Sequence, residues 1–236
     1  MPPRTPLLRP DRFFAERELN GLRLLVVAVV LVFSVPVAVS GVGWIVTERV
    51  DGTVMVDNPN RPPEAFCQGA PDSMDAGCDA PAEVERDVDG PINDAMGQFM
   101  GPALLGFPIV LLLVGLALHA GSWLADGTNG AVRSFAVALW GLAPSLVGLV
   151  LALAVMWLVY DPLTVTPETD PSVLVEHTRW ELQPLLRWGP VVSGLTTLWG
   201  AIIWRYGLVE ERGLPGTEAS VVAGVTAVLF WGLSLV

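Results

Sequence analysis

Polar and apolar positions are segregated along this chain rather than interleaved. Charged residues gather in residues 1–23, in one long middle segment and in three short connections. Between them lie five stretches with almost no charge: Leu24 to Val46, Met100 to Trp123, Ser134 to Tyr160, Trp188 to Trp204, and Ala219 to Val236. A globular core breaks its helices into shorter amphipathic pieces, so repeated uncharged runs near twenty residues predict transmembrane helices. For the first run, Leu, Val and Ile each contribute about −0.3 to −0.6 kcal/mol at the helix centre, roughly 5 kcal/mol in sum. Backbone groups in lipid must bond internally, so each run is read as a helix. A β-barrel requires alternating segments of about ten residues, and these runs do not alternate.

The predicted fold class is therefore all-α: a polytopic membrane bundle of about five helices. A leader over 1–23 precedes a first span at 24–46. An acidic loop covers 47–98, and a four-helix unit covers 99–236, with helices near 100–123, 134–160, 187–206 and 218–236. Pro102 is expected in the first turn of its helix, where a missing N–H costs little. Pro108 and Pro144 are expected to kink theirs. The last run is short enough to lie half-buried instead of spanning. Ala38-Val39-Ser40 loosely fits a signal-peptide cleavage site, but the apolar stretch is longer than a usual h-region.

Arginine placement orients the bundle. With the N-terminus inside, eight arginines lie inside and five outside, although the outer segments are longer. The positive-inside rule then expects a cytoplasmic N-terminus and, with five spans, an extracellular C-terminus. Trp44, Trp157, Tyr160 and Trp188 fall at outer ends; Trp123, Trp204 and Tyr206 fall at inner ends, where aromatic rings favour the headgroup level. Arg187 and Arg205 bracket the fourth run about 27 Å apart, so both can snorkel to opposite surfaces.

Composition adds two points. All thirteen basic residues are arginine, against twenty-four carboxylates, giving a formal charge of −11. A lysine-free acidic chain suits a salt-adapted proteome, with an Arg-rich codon preference as the alternative. No basic patch is available to neutralise phosphates, so nucleic acid is not an expected partner.

In the leader, Asp11 is a plausible helix N-cap and Gly21 a stop, and Phe13 and Phe14 suggest a short helix lying on the membrane face. The 47–98 loop, rich in Asp, Glu, Pro and Gly, is expected to be largely irregular. It holds both cysteines, Cys67 and Cys78; a disulfide is the preferred reading over free thiols. Asp72/Asp75 and Asp87/Asp89 resemble loose calcium pairs but match no EF-hand, and read as acidic surface. No metal and no cofactor is expected.

No catalytic constellation stands out, and the chain is not expected to be an enzyme. His119 and His177 fall at opposite membrane faces. There is no HExxH, GxSxG or P-loop, and Ser145 has no His or Lys partner within a span. Small residues recur at four-residue spacing: Gly97 with Gly101, Gly141 with Ser145, and Ser220 with Gly224. Such pairs let helix backbones approach closely, either within one chain or across a homo- or hetero-oligomer.

Four short pieces resemble the Yip-one (Ypt-interacting protein) family, in its prokaryotic, haloarchaeal form. They are Pro10-Asp11-Arg12-Phe13-Phe14, Gly101-Pro102-Ala103-Leu104-Leu105, Gly141-Leu142-Ala143-Pro144, and Leu198-Trp199-Gly200-Ala201-Ile202-Ile203-Trp204. The resemblance implies a helical bundle with a cytoplasmic N-terminus. Eukaryotic relatives are adaptors in vesicle traffic that engage small GTPases; their acidic leader is not evident here, and the external acidic loop is a departure. The expected function is a membrane-organising or adaptor protein acting through helix and lipid contacts. A channel or carrier for a small solute is the alternative.

Overall fold

The computed structural model describes residues 4–67, 77–128 and 130–233. Asp72, Asp75 and the last three residues lie outside them. A short helix α1 (Pro10–Glu16) precedes α2 (Gly21–Arg49). Strand β1 (Val50–Asp57) follows directly, then a single turn α3 (Glu64–Cys67) and strand β2 (Glu83–Asp87). Helix α4 (Asp89–Leu124) crosses back, and α5 (Ala131–Leu142) and α6 (Ser145–Val159) return. Strand β3 (Leu163–Val165), α7 (Pro171–Glu181), α8 (Gln183–Arg212) and α9 (Gly216–Leu233) complete the described chain.

Among the described residues, four elements are long and apolar enough to cross a membrane: α2, α4, the α5–α6 pair and α9. Their outer faces show why lipid is the solvent. On α2, Leu25, Val29, Phe33 and Val37 are all exposed, an apolar stripe that water would penalise and acyl chains accept. Helix α8 is more polar, yet from Pro190 onward it runs antiparallel beside α9. Trp231 Nε1 donates to the Pro190 carbonyl at one end (3.0 Å), and Arg205 Nε donates to Ser220 Oγ at the other (2.9 Å).

The helices overrun the apolar runs, because a helix ends where its backbone is capped and not where its side chains turn polar. Asn20 starts α2 by accepting from the Leu22 and Arg23 N–H groups at 3.0 and 3.3 Å, a side-chain N-cap. Gly213 ends α8 in the left-handed region at φ 68°, the conformation glycine adopts without a Cβ penalty. Helix α4 begins at Asp89, so Pro102 lies in its interior beside Pro108 and not in the first turn. At Pro144 the third run loses its regular ladder for two residues: α5 stops at Leu142 and α6 restarts at Ser145, with Ala143 and Pro144 still in the right-handed helical region. The Ser145 hydroxyl donates to the Leu142 carbonyl at 2.7 Å, answering one acceptor that the break frees.

The described part of the acidic loop holds two strands where its composition suggests irregular chain. Strand β1 pairs antiparallel with β2, Thr53 opposite Asp87 through Asp57 opposite Glu83, and parallel with β3, Val50 opposite Leu163. The β-branched run at Val50, Thr53, Val54 and Val56 supplies the strand signal, while Asp and Glu mask it in any composition window. Gly52 adopts φ 120°, and a Cβ there would strike the Val165 carbonyl. The sheet rests on a small core of Ile45, Val46, Val50, Ile92, Met156, Tyr160 and Val165. This defines a sheet end of the bundle. The opposite, leader end holds α1, the α4–α5 loop and the α8–α9 turn.

Candidate functional site

Two helix backbones come into direct contact where α5 crosses α8. Gly141 and Gly200 face one another there: a Cβ on Gly200 would strike the Gly141 carbonyl, and one on Gly141 would strike the Trp204 indole. With hydrogens in both places the backbones meet, as small residues permit between membrane helices. Trp204 is buried in this seam and donates from Nε1 to the Ala138 carbonyl at 3.3 Å. It therefore does not sit in an aromatic belt; removing its face from lipid into the seam requires the partner carbonyl it finds. Tyr160 is likewise buried, its hydroxyl 2.9 Å from Thr178 Oγ1.

One turn further along α8, Gly207 opens a notch occupied by Val137 and by the Phe14 ring. Phe13 and Phe14 are each only 4% exposed. Phe13 meets Trp140 of α5 edge-to-face at 5.2 Å between centroids, and Trp199 Nε1 donates to the Leu7 carbonyl at 2.7 Å. The leader is thus strapped along α8, with its phenylalanines inside the protein. The two phenylalanines that suggested a helix lying on the membrane face thus point into the protein, against the notch at Gly207 and the Trp140 ring. The outer face of α1 stays charged. Arg9 donates to Asp11 (3.4 Å) and Arg12 to Glu16 (2.8 Å). The Arg9 hydrogen bond lowers the Asp11 pKa, and the Glu16 hydrogen bond raises that of Arg12.

Beneath the strap, the end of α8 ties the α4–α5 loop down. Arg212, 1% exposed, donates to Ser122 Oγ at 3.0 Å and to the Gly130 carbonyl at 3.2 Å, while its own carbonyl accepts from Thr128 N–H at 2.9 Å. Neighbouring Glu211, also buried, pairs with the half-exposed Arg133. His119 Nδ1 lies 3.5 Å from Ser134 Oγ. A buried guanidinium needs its N–H groups answered, and here a serine and a loop carbonyl share that task. These contacts hold α4, α5 and α8 in register at the leader end.

Of the small residues singled out in the sequence, the structure brings only Gly141 into a tight helix contact. Gly97, Gly101 and Gly224 have no neighbour within 4 Å of a Cβ position. Ser145 opens onto a groove between α6 and α8, and Ser220 bonds the Gly216 carbonyl and Arg205 within the α8–α9 hairpin. Cys67 and Cys78 are joined in a disulfide, with their Cα atoms 5.6 Å apart. Asp87 Oδ1 accepts from the Asp89 N–H at 3.0 Å and so caps the β2–α4 junction. His177, at the sheet end, has Nε2 3.2 Å from the Asp161 carbonyl and stacks edge-on to Tyr160.

Sequence reasoning passed over Gly200, Gly207 and Arg212. A signal for the first two exists: Gly200, Trp204 and Gly207 recur at the spacing of one helix face. Arg212 gives none, because a terminal arginine and a buried clamp read alike.

With this geometry in place, the comparison with known families is specific: the family model described as Yip1 domain matches residues 5–236. No match to a curated protein or to a solved structure is found.

Proposed function

The chain belongs to the Yip1 domain family and is a multi-pass membrane protein, and on that footing we propose that it is a non-enzymatic membrane-organising or adaptor protein. In this reading α8 crosses the bilayer beside α9, making five spans. The N-terminus is cytoplasmic and the C-terminus extracellular, in the cell membrane. Partners meet the strapped leader at the membrane surface and the outer faces of the helices within it.

The observation that carries the reading is the docked leader. Burying Phe13 and Phe14 fixes α1 against α8 and turns the exposed Arg9, Arg12 and Glu16 outward as a preformed polar face. A preorganised face spares a partner the cost of ordering it. The test is cross-linking in native membranes, comparing the wild type with a variant carrying Arg9→Ala, Arg12→Ala and Glu16→Ala. The expected result is capture of a partner or a second copy by the wild type, lost in the variant. Capture of neither by the wild type counts against an adaptor. Single cysteines at Arg4 and Leu233, in a Cys67→Ser/Cys78→Ser background, should label from opposite sides.

The break between α5 and α6 favours a second reading, a channel or carrier for a small solute. Interrupted helices place backbone dipoles at membrane depth, where transporters use them. Proteoliposome flux above that of empty vesicles would support it, and an adaptor gives none.

A further inference from the structure

We propose that the groove between α6 and the first half of α8 is a binding site for one anionic membrane lipid, with an acyl chain in the groove and the headgroup phosphate on Arg187.

The groove has a volume of about 440 Å³, within the roughly 300–1,000 Å³ typical of small-molecule sites. Gly148, Ala152 and Val155 form one wall, and Trp188, Val192 and Thr196 the other. The walls touch at its deep end, where a Cβ on Gly148 would stand 3.4 and 3.5 Å from Val192 and Thr196. From Trp188 to Thr196 the groove runs about 12 Å along α8 at 1.5 Å per residue. That is close to the depth of one leaflet of a hydrocarbon core about 30 Å thick.

The chemistry changes along this path in the order a lipid presents it. At the deep end the hydroxyls are already answered. Ser145 Oγ donates to the Leu142 carbonyl, and Thr196 Oγ1 to carbonyls one turn back at 3.0–3.1 Å. The floor therefore asks for an apolar occupant. At the upper end the groove shares Pro184 and Trp188 with a second depression, lined also by Gln183, Leu186 and Arg187. Arg187 is exposed, is the one charge lining that depression, and makes no hydrogen bond or ion pair among the described residues. A guanidinium there presents a planar fork to a phosphate, with the Gln183 amide beside it. Glu176 and Arg179 line the next depression along α7 and offset one another.

The site rests on the bundle lying in a bilayer and not on the adaptor role. The test uses the full chain in phosphatidylcholine nanodiscs containing phosphatidylglycerol with a photoreactive group in the distal acyl chain, with labelled peptides mapped by mass spectrometry. Labelling should concentrate on 145–155 and 184–196 over the lipid-facing surface of α9. Ala152→Phe should lower it at least fivefold there without changing α9. Arg187→Gln, on an exposed side chain, should reduce the preference for phosphatidylglycerol over phosphatidylcholine about tenfold and leave chain labelling in place. A Gly224→Phe control, facing open space, should change neither. Uniform labelling of all lipid-facing helices, or an unmoved headgroup preference in Arg187→Gln, overturns the proposal. So does a copy-to-copy cross-link from a cysteine at position 152, which would identify a second chain as the occupant. Absence of label from every helix would instead overturn the membrane-spanning reading itself.

Discussion

Gly200→Ala is the smallest change that addresses the α5–α8 seam, and its sign is diagnostic. On propensity alone alanine should help, since glycine in a helix interior costs about 1 kcal/mol relative to alanine. In the seam, however, the new methyl meets the Gly141 carbonyl oxygen. A backbone atom cannot rotate aside, so the two helices must part. Overpacking of this kind costs about 1–3 kcal/mol, and a rigid obstacle places it at the upper end. Parting also stretches the Trp204–Ala138 hydrogen bond, 3.3 Å to begin with, at a net cost of about 1 kcal/mol. The balance after the propensity gain is a loss of roughly 3 kcal/mol. For a chain of this size that corresponds to a fall of about 6–12 °C in melting temperature. Gly224→Ala, with nothing within 4 Å, should keep the propensity gain and move the other way. Both are read by thermal unfolding of detergent-purified protein, followed by tryptophan fluorescence. If Gly200→Ala melts at or above wild type, the close approach of α5 and α8 is not what holds the seam.

Three further outcomes follow from the same contacts. Phe14→Ala should cost about 3–5 kcal/mol as a buried aromatic truncation and free the leader; hydrogen exchange over residues 4–16 should rise sharply, and unchanged protection there would refute the strap. Reducing Cys67–Cys78 opens a loop of about twelve residues, worth roughly 3 kcal/mol in the chain-entropy estimate; exchange should increase in the β1–β2 connection while the melting temperature of the bundle holds, because the bridge lies outside the helical core. The Asp170 carboxylate accepts from the Ser172 N–H at 2.8 Å and caps α7, and this backbone hydrogen bond lowers its pKa. A depressed folded-state value means that the cap is present above the ordinary carboxylate range and is lost as pH falls through the lowered value. Exchange in α7 should therefore rise on acidification, and in Asp170→Ala it should be high at every pH.

Much of the bundle was legible because lipid imposes a one-dimensional rule: uncharged runs of sufficient length become helices. The runs at Leu24 and Met100 behave that way. What the rule does not register is packing between helices. Trp204 reads as an interfacial aromatic from its place beside Arg205, yet it is buried, because Gly141 leaves a hollow for the indole on a different helix. Phe13 and Phe14 read as membrane anchors for the same reason; their pocket is assembled from Gly207, Val137 and Trp140, two helices distant in sequence. The strands at 50–57 and 83–87 were hidden by their carboxylates, which point to solvent and leave pairing untouched. Gly97 and Gly101 carry the right spacing but face outward, since spacing names a helix face without naming what stands opposite it.

Helix α4 spans 36 residues, about 54 Å at 1.5 Å per residue, so it projects some 20 Å past the hydrocarbon and starts within two residues of β2. No tether separates the sheet from the rod. A load applied to the sheet is accordingly delivered to the far surface of the bilayer as leverage on one continuous strut, with Pro102 and Pro108, each lacking a hydrogen bond, as its points of give.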